Sequence, residues 1–222
     1  MALHDTETFM SLVKRCTALL IAALAFGAEA QLAASEVARP DVLMRTATAE
    51  VIAILEGDAA AGRPTDVARL IETKVLPLFD FERMTRLAMA RHWRLATPAQ
   101  QGELVAQFTA LLVRTYSTAL SGYRDEEIHY RPLRAAAGEA EVVVRASVRR
   151  GGMAPMTIDY EMQETPAGWK VHDVTVAGMS LVITHRASFA AVVRSRGIDG
   201  LIEALAGKNR ASAPRLTPPG RS

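Results

Sequence analysis

The sequence predicts an α+β domain with helices packed on one face of a curved antiparallel sheet of about four strands. Three observations carry that prediction. Apolar residues recur at helical spacing from Asp41 to Leu120. The texture then changes to short β-rich runs separated by turn residues, from Glu127 to Gly178. Helical spacing returns from Ser180.

The elements follow in order. After a flexible lead over 31–40, "DVLMRTATAEVIAILEG" places Val42, Leu43, Val51, Ile52 and Leu55 at helical spacing, and Gly57 is expected to end that helix. "RPTDVARLIETKVLP" predicts a second helix that stops before Pro77. The next stretch, "LPLFDFERM", sets one acid between two phenylalanines. Asp80 follows the break at Pro77 and precedes an amphipathic run with Phe81, Met84, Leu87 and Ala88 on one face. An aspartate there can accept hydrogen bonds from the first-turn amides, and its charge suits the positive end of the helix. Asp80 is therefore read as a cap, with Phe79 and Phe81 anchoring the turn in an apolar interior.

A long fourth helix opens at "TPAQ": Thr97 suits the N-cap, Pro98 the first helical position, and Gln100 completes a capping box. Its stripe is Leu104, Val105, Phe108, Leu111, Leu112, Tyr116, Ala119 and Leu120. Four β-runs follow: "EIHYRPL", "AEVVVRASVRR", "PMTIDYEMQ" and "WKVHDVTVAG". In the third, Met156, Ile158, Tyr160 and Met162 share one face. In the fourth, the apolar parity shifts between Val171 and Val174, which predicts a bulge near Asp173. A helix from Ser180 to Arg196 is closed by Gly197, a short helix follows, and 208–222 reads as a disordered, basic, proline-rich tail.

Composition narrows the function. The chain has 222 residues, half of them apolar, and a net charge of +2, which does not argue for nucleic acid. Lys14 and Arg15 precede the apolar run "CTALLIAALAF", and Ala28 and Ala30 sit at the −3 and −1 positions of a signal-peptidase site. Residues 1–30 are thus read as a signal peptide, and removing them takes away Cys16, the one cysteine. No cysteine nucleophile, thiolate ligand or disulfide is expected in what remains. His92, His129, His172 and His185 have no metal-ligand spacing, and neither a nucleophile elbow nor a phosphate loop is present. No metal or cofactor is expected. His172 and Asp173 are strand neighbours and are expected on opposite faces. A dyad between Asp159 and His172 across adjacent strands is possible, though nothing supplies a nucleophile or an oxyanion hole. Arg145, Arg149 and Arg150 cluster at a hairpin, either as a protective edge or as a contact to an anionic surface.

"VLPLFDFERMTRLAMARHWRLATPAQQGELVAQFTALLVRTYSTAL" resembles the signature of the MlaC-like, or toluene-tolerance (Ttg2-type), periplasmic proteins. The positions that carry it are Pro77, Phe79, Asp80, Phe81, Met84, Trp93, Arg94, Thr97, Gln100, Phe108, Leu111, Leu112, Thr115 and Tyr116. Downstream, Trp169, Asp173, Gly178, Ser180, Phe189, Gly197 and Leu201 match the family's ending. The departures are "ARH" in place of the usual Leu-Gly before the Trp-Arg pair, and His172 where a tyrosine often precedes the strand aspartate.

The resemblance implies a single lipid-binding domain over 31–207, an NTF2-like cone whose helices and sheet enclose an apolar cavity. It implies a periplasmic carrier that moves phospholipid between an inner-membrane ABC-type complex and an outer-membrane lipoprotein complex. A branch of the family associated with hopanoid metabolism leaves a hopanoid as the alternative ligand. A diacyl lipid carries about thirty methylenes, and exposing them costs on the order of 24 kcal/mol. The carrier must therefore enclose the tails. The expected lining is Phe79, Met84 and Leu87 near the capped turn; Phe108, Leu112 and Tyr116 on the long helix; Val144, Met156, Ile158 and Tyr160 on strands; and Met179, Val182 and Phe189 late in the chain. Two readings of other classes stand against it: a cone-fold enzyme using Asp159, His172 or His129, and a structural adaptor.

Overall fold

The computed structural model describes residues 39–121, 126–136, 138–152 and 154–211, so the predicted signal peptide and most of the lead lie outside the described residues. Helix α1 spans Pro40–Ala60. It runs past Gly57, whose absent side chain would point into open space, and ends instead where Gly62 takes a left-handed φ of 64°. The second helical segment is broken into three pitches. Asp66 caps α2, Val67–Leu70, by accepting from the Arg69 amide at 3.0 Å. A π-helical turn, Ile71–Val75, and a 3₁₀ turn, Leu76–Leu78, follow. Pro77 does not stop the segment. It sits in the first positions of the tight turn, where a missing amide costs little.

Helix α3, Phe81–Met89, starts as expected: Asp80 Oδ1 accepts from the Arg83 amide at 2.8 Å. It ends at Ala90, which has φ 49°, and a 3₁₀ stretch, Ala90–Leu95, leads on. Helix α4 spans Pro98–Ser121. Its capping box forms, with the Gln100 amide donating to Thr97 Oγ1 at 3.3 Å and the Thr97 amide to Gln100 Oε1 at 3.0 Å.

The sheet has five antiparallel strands in sequence order, one more than expected: β1 Glu127–Tyr130, β2 Glu141–Arg149, β3 Met156–Thr165, β4 Gly168–Val176 and β5 Met179–Ser180. The extra strand is two residues long, too short for alternation to reveal. It folds back through Ala177 and Gly178, both at positive φ (49° and 84°), as a tight two-residue hairpin requires. The register aligns Val144, Tyr160 and Val174 on the inner face and Arg145, Asp159 and Thr175 on the outer face. The predicted bulge is present: Glu161 faces Asp173 and Met162 faces Val171, which leaves His172 as the added residue.

Helix α5, Leu181–Ala211, breaks at Gly197 (φ 71°) and resumes, so it continues four residues into the segment read as a tail, whose remainder lies outside the described residues. Gly200 allows that break, because a Cβ there would fall 2.3 Å from the Cβ of Arg196. Asp173 fastens the start of α5. Its Oδ1 accepts from the Val182 amide at 3.2 Å, and its Oδ2 from the Ser180 hydroxyl.

Two apolar layers result. One is helical, with Met84, Ala88 and Met89 of α3, Leu104, Phe108 and Leu112 of α4, and Val182, Phe189, Leu201 and Leu205 of α5 packed together. Phe108 meets Phe189 edge to face at 5.2 Å between ring centres. The other is the inner sheet face, against which α1 lies: the Tyr130 hydroxyl is 2.6 Å from Thr48 Oγ1 and 3.2 Å from the Met44 carbonyl.

Candidate functional site

An apolar cavity of about 210 Å³ lies between the helices and the inner sheet face. Each wall follows from a local choice described above. The π and 3₁₀ turns bring Ile71, Val75 and Leu76 to one side. The cap at Asp80 sets the turn from which Phe79, Phe81 and Met84 point inward, and the two rings stack at 5.6 Å. Helix α4 supplies Leu112, Val113, Tyr116 and Ser117. The sheet supplies Ile158 and Tyr160 from β3 and Val174 and Val176 from β4, and Leu181 closes the set. Tyr116 lines the cavity yet is 42% exposed, which marks a place where the wall reaches solvent.

Among the described residues, hydroxyls are the polar side-chain groups of this lining, and no charged side chain contributes to it. Burial raises the Tyr116 hydroxyl above its ordinary pKa. Burial raises Tyr160 further, with the neighbouring Tyr130 hydroxyl acting in the same direction, so both phenols stay neutral. A hollow of this kind offers nothing to a charged group and everything to hydrocarbon.

Of the residues expected to line it, Phe79, Met84, Leu112, Tyr116, Ile158 and Tyr160 do so. The others stand elsewhere. Phe108, Val182 and Phe189 are locked in the helical core, and Leu87 packs against that core. Val144 is buried on the inner face outside the lining. Met156 and Met179 are exposed, by 42% and 67%: Met156 opens β3 one inner-face row past Ile158, and Met179 shares the row of Ile158 and Val176 but sits on the two-residue edge strand β5. Sequence reasoning missed Ile71, Val75, Leu76, Val113, Ser117, Val174, Val176 and Leu181 as lining. Alternation on β4 could have pointed to Val174 and Val176. Nothing in a helical pattern announces the π turn that aims Ile71 and Val75.

The alternative catalytic pair does not assemble. Asp159 lies opposite Thr175, and its carboxylate is 3.7 Å from Arg145 Nε. His172 lies one bulge away, beside Glu161. The bulge also corrects the expectation for His172 and Asp173. Val171 and Val174 both keep the inner face, so both intervening residues turn outward. Among the described residues no cluster of His, Cys, Asp or Glu could hold a metal ion, and no helix is long and apolar enough to cross a membrane.

The chain is similar to several proteins. The phospholipid-binding protein from Ralstonia solanacearum, solved in complex with a phospholipid, superposes with a TM-score of 0.72 at 38% sequence identity, covering 79% of this chain and 99% of that one. The intermembrane phospholipid transport system binding protein MlaC of Haemophilus influenzae is 21% identical over 168 residues, 73% of this chain and 78% of that protein. The toluene tolerance protein ttg2D of Pseudomonas putida is 27% identical over 136 residues, 60% of this chain and 62% of that protein. The family described as MlaC protein matches residues 45–207, a span that contains the whole sheet and every wall of the cavity. The chain therefore belongs to the MlaC family.

Proposed function

We propose that this protein is a phospholipid carrier that takes acyl chains into the cavity between its helices and the inner sheet face and leaves the headgroup outside. The observation that carries the reading is the lining itself, which among the described residues is aliphatic and aromatic side chains with only hydroxyls between them. The relative solved with a phospholipid supports it, as does the relative that belongs to an intermembrane phospholipid transport system.

At about 210 Å³ the cavity is below the ~300–1,000 Å³ of ordinary ligand pockets. Holding a diacyl lipid requires the walls to separate. Met84 has a flexible side chain suited to reshaping, and the wall over 71–78 lacks a continuous α-helical hydrogen-bond ladder. The chain works in the periplasm, receiving lipid from one membrane complex and giving it to another, with an inner-membrane ABC-type system and an outer-membrane lipoprotein complex as partners. Its tails stay out of water throughout, which avoids a cost on the order of 24 kcal/mol for about thirty methylenes.

The test is mass spectrometry of solvent extracts from protein purified from its native host. Stoichiometric phospholipid is the expected result. Stoichiometric hopanoid would replace the ligand while keeping the carrier, and lipid-free protein that also takes up none from vesicles would overturn the reading.

A further inference from the structure

The outer face of the sheet carries a second hollow, of about 270 Å³, separated from the apolar cavity by the β-layer itself. Its character is the opposite. Glu141 and Arg145 of β2, Glu161 of β3 and His172 of β4 line it, and Arg134 and Glu139 enter from the segment before β2.

The bulge builds this site. By adding His172 opposite Glu161, β4 turns the imidazole to the outer face, where a regular strand would carry one side chain. His172 is only 5% exposed, and its Nδ1 is buried with no hydrogen-bond partner. Leaving a buried polar atom unpaired costs about 1–3 kcal/mol, so such an atom asks for a reason. The carboxylates beside it are crowded. Burial pushes the Glu161 carboxyl above the usual carboxylate range, and Asp173, Glu141 and Asp159 push it the same way against Arg83. Burial holds His172 below the ordinary imidazole value. Arg83 adds to that effect, and Glu141, Asp173 and Asp80 oppose it. The imidazole is thus neutral near pH 7 and can accept a hydrogen bond.

We propose that this hollow is a recognition site for a cation with several N–H donors, an alkylammonium or a guanidinium, held between the Glu161 and Glu141 carboxylates and the His172 ring. The protein already seats one such group at the edge of the hollow: Arg83 Nη2 donates to Glu141 Oε1 at 2.8 Å. That contact leaves Glu161 without a hydrogen-bonded cation. Arg145 does not cancel the preference, because its guanidinium faces Asp159 at 3.7 Å. Counted with Arg134 and Arg145, the lining still holds three carboxylates, Glu139, Glu141 and Glu161, against two guanidinium groups. The inference concerns the sheet face opposite the lipid cavity, so it stands or falls independently of the carrier reading.

The experiment is an NMR titration of the full chain that follows the His172 imidazole, assigned by its loss in His172→Asn. The probes are n-butylammonium, ethylguanidinium, a short lysine peptide, and tetramethylammonium as a cation without N–H donors. A saturable shift with the donor cations, absent with tetramethylammonium and weakened at least about tenfold in Glu161→Gln, is the expected result. Saturation by the small amines identifies a free amine as the ligand, and saturation by the peptide alone identifies a basic side chain of a partner. No saturable shift with any probe, an equal shift with tetramethylammonium, or an unchanged titration in a folded Glu161→Gln protein overturns the proposal. Circular dichroism checks the fold, and Glu127→Gln, on an exposed outer position of β1, serves as the control expected to bind normally.

Discussion

The Asp80 amide donates to the Val171 carbonyl at 2.8 Å, and the Asp80 carboxylate caps the helix that begins at the next residue. One residue thus ties the strand edge of β4 to the first turn of α3 and sets the angle at which Phe79 and Phe81 enter the cavity. Asp80→Ala is expected to lower stability by about 1 kcal/mol, whereas Asp80→Asn keeps most of the cap. Urea denaturation with lipid content measured in parallel checks this. Loss of lipid in a fully stable Asp80→Asn protein would show a part for the carboxylate beyond capping.

Two inner-face substitutions should separate lining from core. Ile158→Glu puts a charge into the cavity wall and should yield a folded protein with little bound lipid. Val144→Glu buries a charge in a packed layer at 1% exposure, and a cost of several kcal/mol is expected to prevent folding. Circular dichroism and lipid extraction on both variants give the answer. Equal lipid content in folded Ile158→Glu and wild type would misplace the site.

The hairpin between β4 and β5 stores removable strain. Ala177 holds φ 49° without a glycine's freedom. Ala177→Asn should raise stability by roughly 0.5–1 kcal/mol, since asparagine accepts that conformation more readily. Thermal melting of the variant against wild type reads the effect directly.

Acid should weaken the fold through the buried His172 and the half-buried His185. Burial depresses both His172 and His185, and Lys208 adds to the effect at His185. Below the unfolded imidazole value of about 6.5 the unfolded chain binds protons that the native state resists. The stability these neutral rings contribute is therefore present above that pH and is lost as pH falls through the depressed native values. His185 packs against Phe108 and Phe189 at 5.1 and 5.5 Å, and His185→Gln should flatten part of the slope of melting temperature between about pH 5 and 7. An unchanged slope in a folded variant would assign it to other groups.

Much of the architecture was legible because its signals are local. The caps at Asp80 and Thr97 depend on two or three adjacent residues, and both form as their spacing predicts. The bulge showed itself as a slip in apolar parity on β4. Other features hid because their causes lie elsewhere in the fold. Gly57 looks like a stop, but a glycine on an open helix face costs only about 1 kcal/mol, and tertiary packing carries α1 past it. Phe108 and Phe189 read as cavity residues, yet they fill one another's space, since an apolar helix position does not say whether its neighbour is a side chain or a void. Met156 and Met179 share the lining's parity but lie at the margins of the sheet, one a row past Ile158 and the other on the edge strand, and strand alternation fixes the face without fixing the position on it.

The wide turn at 71–75 makes the spacing of this segment an exact matter of residue number. Its hydrogen bonds span five residues where an α-helix spans four, so deleting any one of them would let a regular helix close. Everything downstream would then swing by roughly 100° about the axis, taking Leu76 and Phe79 off the hollow while leaving the composition of the segment almost untouched. Substitutions here can be mild. A change in length cannot.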